Sequence, residues 1–153
     1  MKKNISLCAL CFVISGLFLM SCKKVDLKEL EYQHITRGEY LQAYVKKKGG
    51  GMVLWFQVFD QMDNTSDFKK AKFTSDTIGS YPAKINEDKW IWLLVNDRIE
   101  IRLVAFSAVK DFQDTGKLKK FIASFDLAGM EKITGPKLKA ADLEKFIPKL
   151  GGQ

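Results

Sequence analysis

The sequence predicts an α+β domain, an antiparallel sheet with C-terminal helices packed on one face. Three observations carry this. Two alternating runs flank Asn96-Asp97 between Lys89 and Ser107. A β-branched and aromatic run, Met52 to Phe59, lies upstream of them. After Ser107 the apolar spacing changes from two to three and four, as Leu118, Phe121, Ile122 and Phe125 show.

The hairpin over 89–107 is the clearest element. Asn and Asp accept the positive φ angles of a two-residue turn, so Asn96-Asp97 is placed at the tip. That turn sets Val95 opposite Arg98, Leu94 opposite Ile99, Trp92 opposite Ile101 and Trp90 opposite Leu103. Opposed residues share a face. One face then carries Trp90, Trp92, Leu94, Ile99, Ile101 and Leu103, and reads as core. The other carries Ile91, Leu93, Val95, Arg98, Glu100 and Arg102. A slip of one residue would exchange the faces.

Upstream, Met52–Phe59 is a strand on composition. Residues 37–48 fit helical spacing through Tyr40, Leu41, Tyr44 and Val45, and strand alternation through Leu41, Ala43 and Val45. Gly49-Gly50-Gly51 favours a hairpin between them. Phe68 to Phe73 alternates as a strand with a solvated face, and residues 75–82, with Gly79 and Pro82, read as a turn. Downstream, 117–127 reads as an amphipathic helix with a strand reading still open. Residues 140–147 form a second helix presenting Leu143, Phe146 and Ile147, stopped by Pro148. Residues 151–153 read as a frayed tail.

The N-terminus is of another kind. Lys2 and Lys3 precede a sixteen-residue apolar run from Ile5 to Met20. This is the pattern of a secretory leader, short for a membrane span. An uncleaved anchor helix is the bland alternative. Ordinary leader cleavage before Cys22 would place Leu19 at −3, where a small residue is preferred. The run Leu19-Met20-Ser21-Cys22 resembles the lipobox of bacterial lipoprotein precursors, with an aliphatic residue, a variable one, a small one and then the lipidated cysteine. The resemblance implies cleavage between Ser21 and Cys22, diacylglyceryl transfer to the Cys22 sulfur, and acylation of the new amino group. Two or three acyl chains hold a protein stably at a membrane where one does so marginally. Lys23 follows the cysteine, where many inner-membrane lipoproteins of enteric bacteria carry Asp. The resemblance therefore implies the cell envelope, at the periplasmic face of the outer membrane. The expected organisation is a leader over 1–21, a lipidated tether over 22–36 and one domain over 37–150.

Composition bounds the rest. Hydrophobic residues at 46% and charged residues at 28% suit an ordinary globular domain. The formal charge is +7, of which Lys2 and Lys3 leave with the leader. The basic residues are 22 lysines and three arginines, Arg37, Arg98 and Arg102. Lysine is a hydrated point charge, whereas arginine recognises phosphate bidentately. The excess reads as a solvated surface drawn to anionic envelope components, and no motif points to nucleic acid. Cys8 and Cys11 fall in the leader, so the mature chain keeps only Cys22.

No catalytic residue and no metal site are identified. His34 is the single histidine, and any Ser-His-Asp system would have to use it. Asp60, Asp63 and Asp67 suggest calcium, but Phe68 stands at the glycine place of that loop counted from Asp63, and Thr74 at its closing glutamate. Glu87-Asp88 reads as a turn. Trp90 and Trp92 are either core or the lining of a ligand groove. The expectation is a membrane-anchored envelope lipoprotein with a non-enzymatic binding or structural domain and no cofactor. It would engage the membrane through lipid on Cys22, together with an envelope protein or an apolar or anionic envelope component. The alternative is a small cell-wall or surface-polymer enzyme using carboxylates that spacing does not reveal.

Overall fold

A computed structural model describes residues 26–62, 76–86, 90–106, 112 and 114–151. The leader, Cys22, the strand expected at 68–73, Asp63, Asp67 and Glu87-Asp88 lie outside the described residues.

The domain is α+β, as expected. Seven antiparallel strands form one open sheet: β1 (Leu30–Arg37), β2 (Leu41–Lys47), β3 (Met52–Asp60), β4 (Asp76–Ile78), β5 (Tyr81–Asn86), β6 (Trp90–Val95) and β7 (Ile99–Ala105). Their order in space is β1-β2-β3-β7-β6-β5-β4. Two meanders, β1–β3 and β4–β7, are thus joined edge to edge by pairing of β3 with β7. Three short helices follow: α1 (Thr115–Ile122), α2 (Leu127–Glu131) and α3 (Ala140–Leu143). None of the described helices is long and apolar enough to cross a membrane.

Residues 37–48 resolve as strand, in a hairpin across the glycines. Lys47 N–H donates to Gly51 O at 3.2 Å, and Gly49 sits at φ +67°, a backbone region open to glycine. Residues 75–82, expected as a turn, hold β4 and the start of β5 around Gly79-Ser80. The expected tether also needs correction. After a short turn at Leu27–Glu29 the chain enters β1 at Leu30, so 30–36 belongs to the sheet. Only Leu30 of that strand is buried, so it carries little apolar signal. Of the expected frayed tail, Gly151 is tied, its N–H donating to Leu27 O at 3.3 Å, and 152–153 lie outside the described residues.

The 89–107 hairpin is present but its register is not the expected one. Asn96 and Asp97 do take positive φ, +53° and +51°. The loop, however, has three residues, because Arg98 N–H donates to Val95 O and Val95 pairs with Ile99. Every facing pair therefore moves by one. Trp92 faces Arg102, Trp90 faces Val104, and Leu93 faces Ile101. The apolar face is Ile91, Leu93, Val95, Ile99, Ile101 and Leu103, each 0% exposed. Trp90 and Trp92 lie on the other face, half-buried.

The helices cover the aliphatic face. Asp114 accepts from Gly116 N–H at the start of α1, and Asp126 from Gly129 N–H at the start of α2, both at 2.8 Å. Side chains of this type satisfy N–H groups that a helix start leaves without partners. From α1, Leu118, Phe121 and Ile122 are fully buried. Phe56 of β3 is their platform, with ring centroids 6.2 Å from Phe121 and 4.9 Å from Phe125. The expected helix at 140–147 begins as α3 and tightens into a 3₁₀ turn over Glu144–Phe146.

A buried ion pair fixes the end of the β3–β7 seam. Arg98 donates to both Asp60 oxygens, at 2.8 and 2.7 Å, and to the carbonyls of Gly135 and Pro136. Asp60, 3% exposed, also accepts from Met62 and Leu138 N–H. Burial alone would raise its pKa. The hydrogen bonds from Arg98, Leu138 and Met62 outweigh burial and hold it below the ordinary carboxylate value.

Arg98→Met should cost about 3–5 kcal/mol at neutral pH, because it leaves Asp60 buried without its cation. A depressed carboxylate contributes stability above its ordinary pKa of about 4 and loses it as pH falls through the folded value. The gap between wild type and Arg98→Met should therefore narrow under acid. Urea unfolding of both proteins at neutral and acidic pH measures it.

Candidate functional site

The face turned away from the helices is built from the out-of-phase residues of β2, β3, β7, β6 and β5. Strand register arranges them in rows. One row runs Tyr44, Trp55, Val104, Trp90 and Asn86. The next runs Gln42, Gln57, Arg102, Trp92 and Lys84. Phe59, Glu100 and Leu94 begin a third. Strand alternation sets these rings on one side of the sheet, whereas a helix would turn successive rings apart.

The second row is organised around Arg102. Its guanidinium carbon lies 4.7 Å from the Phe59 ring centre and 4.5 Å from that of Trp92. The cation is thereby sandwiched between two rings, an arrangement the planar guanidinium suits better than an ammonium does. Glu100, 1% exposed, accepts from Arg102 Nε–H and from Gln61 Nε2–H. Ring contacts extend the stack both ways. Tyr40 lies 4.7 Å from Phe59, Trp90 lies 5.6 Å from Trp92, and the Lys84 ammonium sits 5.6 Å from the Trp90 ring. The result is a continuous ladder, Tyr40–Phe59–Arg102–Trp92–Trp90–Lys84, crossing four strands.

Beside the ladder lies a chain of neutral polar groups. Gln57 Nε2–H donates to Gln42 Oε1 at 2.7 Å, and Gln42 Nε2–H donates to the Tyr44 hydroxyl oxygen at 2.9 Å. The Tyr44 O–H is left as a donor next to Trp55. Flat rings flanked by fixed amide and hydroxyl groups can stack on an apolar or ring-shaped ligand surface and hydrogen-bond its edge.

The expected candidates fall as follows. Trp90 and Trp92 come together, on the face opposite the core. Sequence reading missed their companions Tyr44, Trp55, Phe59 and Arg102. The signal available was the pair Glu100 and Arg102 on one side of β7, the side turned away from Ile99, Ile101 and Leu103, where a half-buried cation needs aromatic neighbours to shield it. His34 is exposed on edge strand β1, opposite Tyr44 in register. Asp60, weighed above for calcium, has its oxygens committed to Arg98, Leu138 and Met62. Among the described residues no three His, Cys, Asp or Glu side chains lie together in a way that would hold a metal ion. A groove of about 560 Å³ between 37–39 and 137–141 has Glu39 as the one carboxylate among the described residues that line it. Arg37 on its rim is paired with Glu144 at 2.5 Å.

Phe56→Ala should cost about 3–5 kcal/mol, since it opens a cavity under the helices. Trp92→Ala should cost less, about 1–2 kcal/mol, because its ring is only part-buried, although its contacts with Arg102 and Trp90 are lost. Denaturant unfolding of the two variants gives the order. A larger loss for Trp92→Ala would return that ring to the core.

No known protein family, curated protein or solved structure matches this chain.

Proposed function

We propose that this chain is a lipid-anchored envelope lipoprotein whose domain binds a partner and does not catalyse. The binding face is the aromatic ladder and the amide row beside it. The observation that carries the reading is that ladder. A monomeric sheet covered on one face needs only polar side chains on the other, yet this one presents Trp55, Trp90, Trp92 and Tyr44 around a shielded arginine. Contiguous half-exposed aromatic surface marks interaction sites, and Trp, Tyr and Arg are the residues that dominate binding energy at such surfaces.

The anchor reading rests on Leu19-Met20-Ser21-Cys22 directly after the apolar run. Lipid on Cys22 would hold the domain at a membrane, with Lys23 in favour of the periplasmic face of the outer one. Confinement raises effective concentration, so a modest face-to-face contact would suffice. The partner classes that suit the face are another envelope protein or an envelope component with apolar or anionic groups.

Cys22→Ser should take up no labelled fatty acid and should retain its leader or become soluble. Lipid label on that variant would sink the anchor reading. For the domain, the wild-type lipoprotein should capture a partner from native membranes at low salt, more weakly at high salt, and equally with a chelator present. Trp55→Ser combined with Trp90→Ser should lower that capture at least about tenfold, the loss expected of two hot-spot aromatics, while circular dichroism stays unchanged. Turnover of a wall or surface polymer by the purified protein, lost on replacing one carboxylate without unfolding, would overturn the binding reading in favour of an enzyme.

A further inference from the structure

The lipoprotein reading leaves open which side of the domain meets the bilayer, and the fold carries an answer. Asp26, the first described residue, lies four positions after Cys22. At no more than about 3.6 Å per residue, an extended linker of that length keeps it within roughly 15 Å of the anchor. The surroundings of Asp26 are therefore the surface closest to the membrane.

Those surroundings are rich in lysine. The Leu27–Glu29 turn packs against the tip of the β2–β3 hairpin, where Lys48 N–H donates to Glu29 O at 2.9 Å. The C-terminal segment closes on the same place: Lys48 Nζ donates to Gly151 O at 3.2 Å, and Gly151 N–H to Leu27 O at 3.3 Å. Lys28, Lys46, Lys47, Lys48 and Lys149 thus gather at one end of the strands, with Lys28, Lys48 and Lys149 exposed. Lys23 and Lys24 precede them in sequence. Among the described residues the carboxylates there are Asp26, Glu29 and Glu31. Glu31 is paired with Lys46 at 3.0 Å, and Asp26 accepts from Lys28 N–H at 2.9 Å. Counted over the described residues, five lysines stand there against three carboxylates.

We propose, resting on the lipoprotein reading, that this lysine-ringed end is the membrane-facing surface of the domain and engages anionic phospholipid headgroups. Lysine suits the task, since a headgroup phosphate diester carries one diffuse charge and the contact needs attraction rather than a bidentate fork. The same end holds the last residue of β2 and the first of β1 and β3. The strands accordingly run away from the bilayer, and the aromatic face is turned sideways, where a partner in the envelope space can reach it.

The test uses the mature lipoprotein, purified from membranes and placed in nanodiscs of phosphatidylcholine alone or with phosphatidylglycerol. A water-soluble amine-acetylating reagent is added and each lysine is followed by peptide mass spectrometry. Lys28, Lys48 and Lys149 should react about fivefold more slowly on the anionic discs, and high salt should remove the difference. Lys119 and Lys120, exposed on α1 over the other half of the sheet, should react equally on both. Equal rates for Lys28, Lys48 and Lys149 on the two discs would overturn the proposal. Equal slowing on both discs, without dependence on lipid charge, would overturn it too. The N-terminal peptide in the same sample reads the anchor. Acylated Cys22 with equal rates defeats this inference alone, whereas unmodified Cys22 defeats the lipoprotein reading as well.

Discussion

The pairing of β3 with β7 is the contact on which the rest of the domain depends. It runs from Leu54 opposite Ala105 to Asp60 opposite Ile99, and it joins two meanders that are otherwise separate ladders. On one side of this seam stand Phe56, Val58, Ile101 and Leu103, all fully buried, and the helices rest there. On the other side the same pairing sets Gln57 beside Arg102 and Trp55 beside Val104. Core and aromatic face are thus two products of one register. The Arg98–Asp60 pair sits at the end of the seam and also holds the 135–138 segment, so a shift of β3 against β7 would strand a buried carboxylate. A penalty of that kind specifies a register more than it adds stability.

The separation of tasks between the faces follows. Apolar side chains, Phe56 among them, fill the face under the helices, with the buried Asp60 at its end. Half-buried rings and a shielded cation fill the other. Replacing a ring on the second face leaves the packing beneath the helices as it was, because successive residues of a strand point to opposite faces.

Much of this was legible in the residues. The hairpin at 89–107, the strand at 52–59 and the helical spacing of Leu118, Phe121 and Ile122 all survive in the structure. The faces of the hairpin did not follow, for a specific reason. In β6 both alternating sets are apolar, Trp90-Trp92-Leu94 and Ile91-Leu93-Val95, so only loop length decides which set joins Ile99-Ile101-Leu103. Asn96-Asp97 argued for two residues, and Arg98 makes the loop three. The strand β1 escaped notice because it lies at an edge, buries one residue and shifts register between Tyr32 and His34. The Asp60–Arg98 pair spans 38 residues, and no local pattern encodes such a distance. The ladder on the face turned away from the helices draws Phe59, Arg102 and Trp92 from three strands, and so became visible only with the register.

The way β1 is held has a kinetic consequence. Among the described strands its backbone pairs with β2, Glu31 is ion-paired with Lys46, Tyr32 meets the Phe56 ring, and further supports come from residues 144–151. Tyr32 donates its hydroxyl to Pro148 O at 2.7 Å, with burial pushing that group's pKa up so that it keeps its proton. Arg37 is paired with Glu144, and Leu27 O receives Gly151 N–H. Contacts separated by more than a hundred residues form late, because a long loop must close before they stabilise anything. The supports that β1 takes from residues 144–151 are therefore the last it gains. A chain emerging residue by residue, from a ribosome or through a pore, holds β1 without them until that segment has arrived.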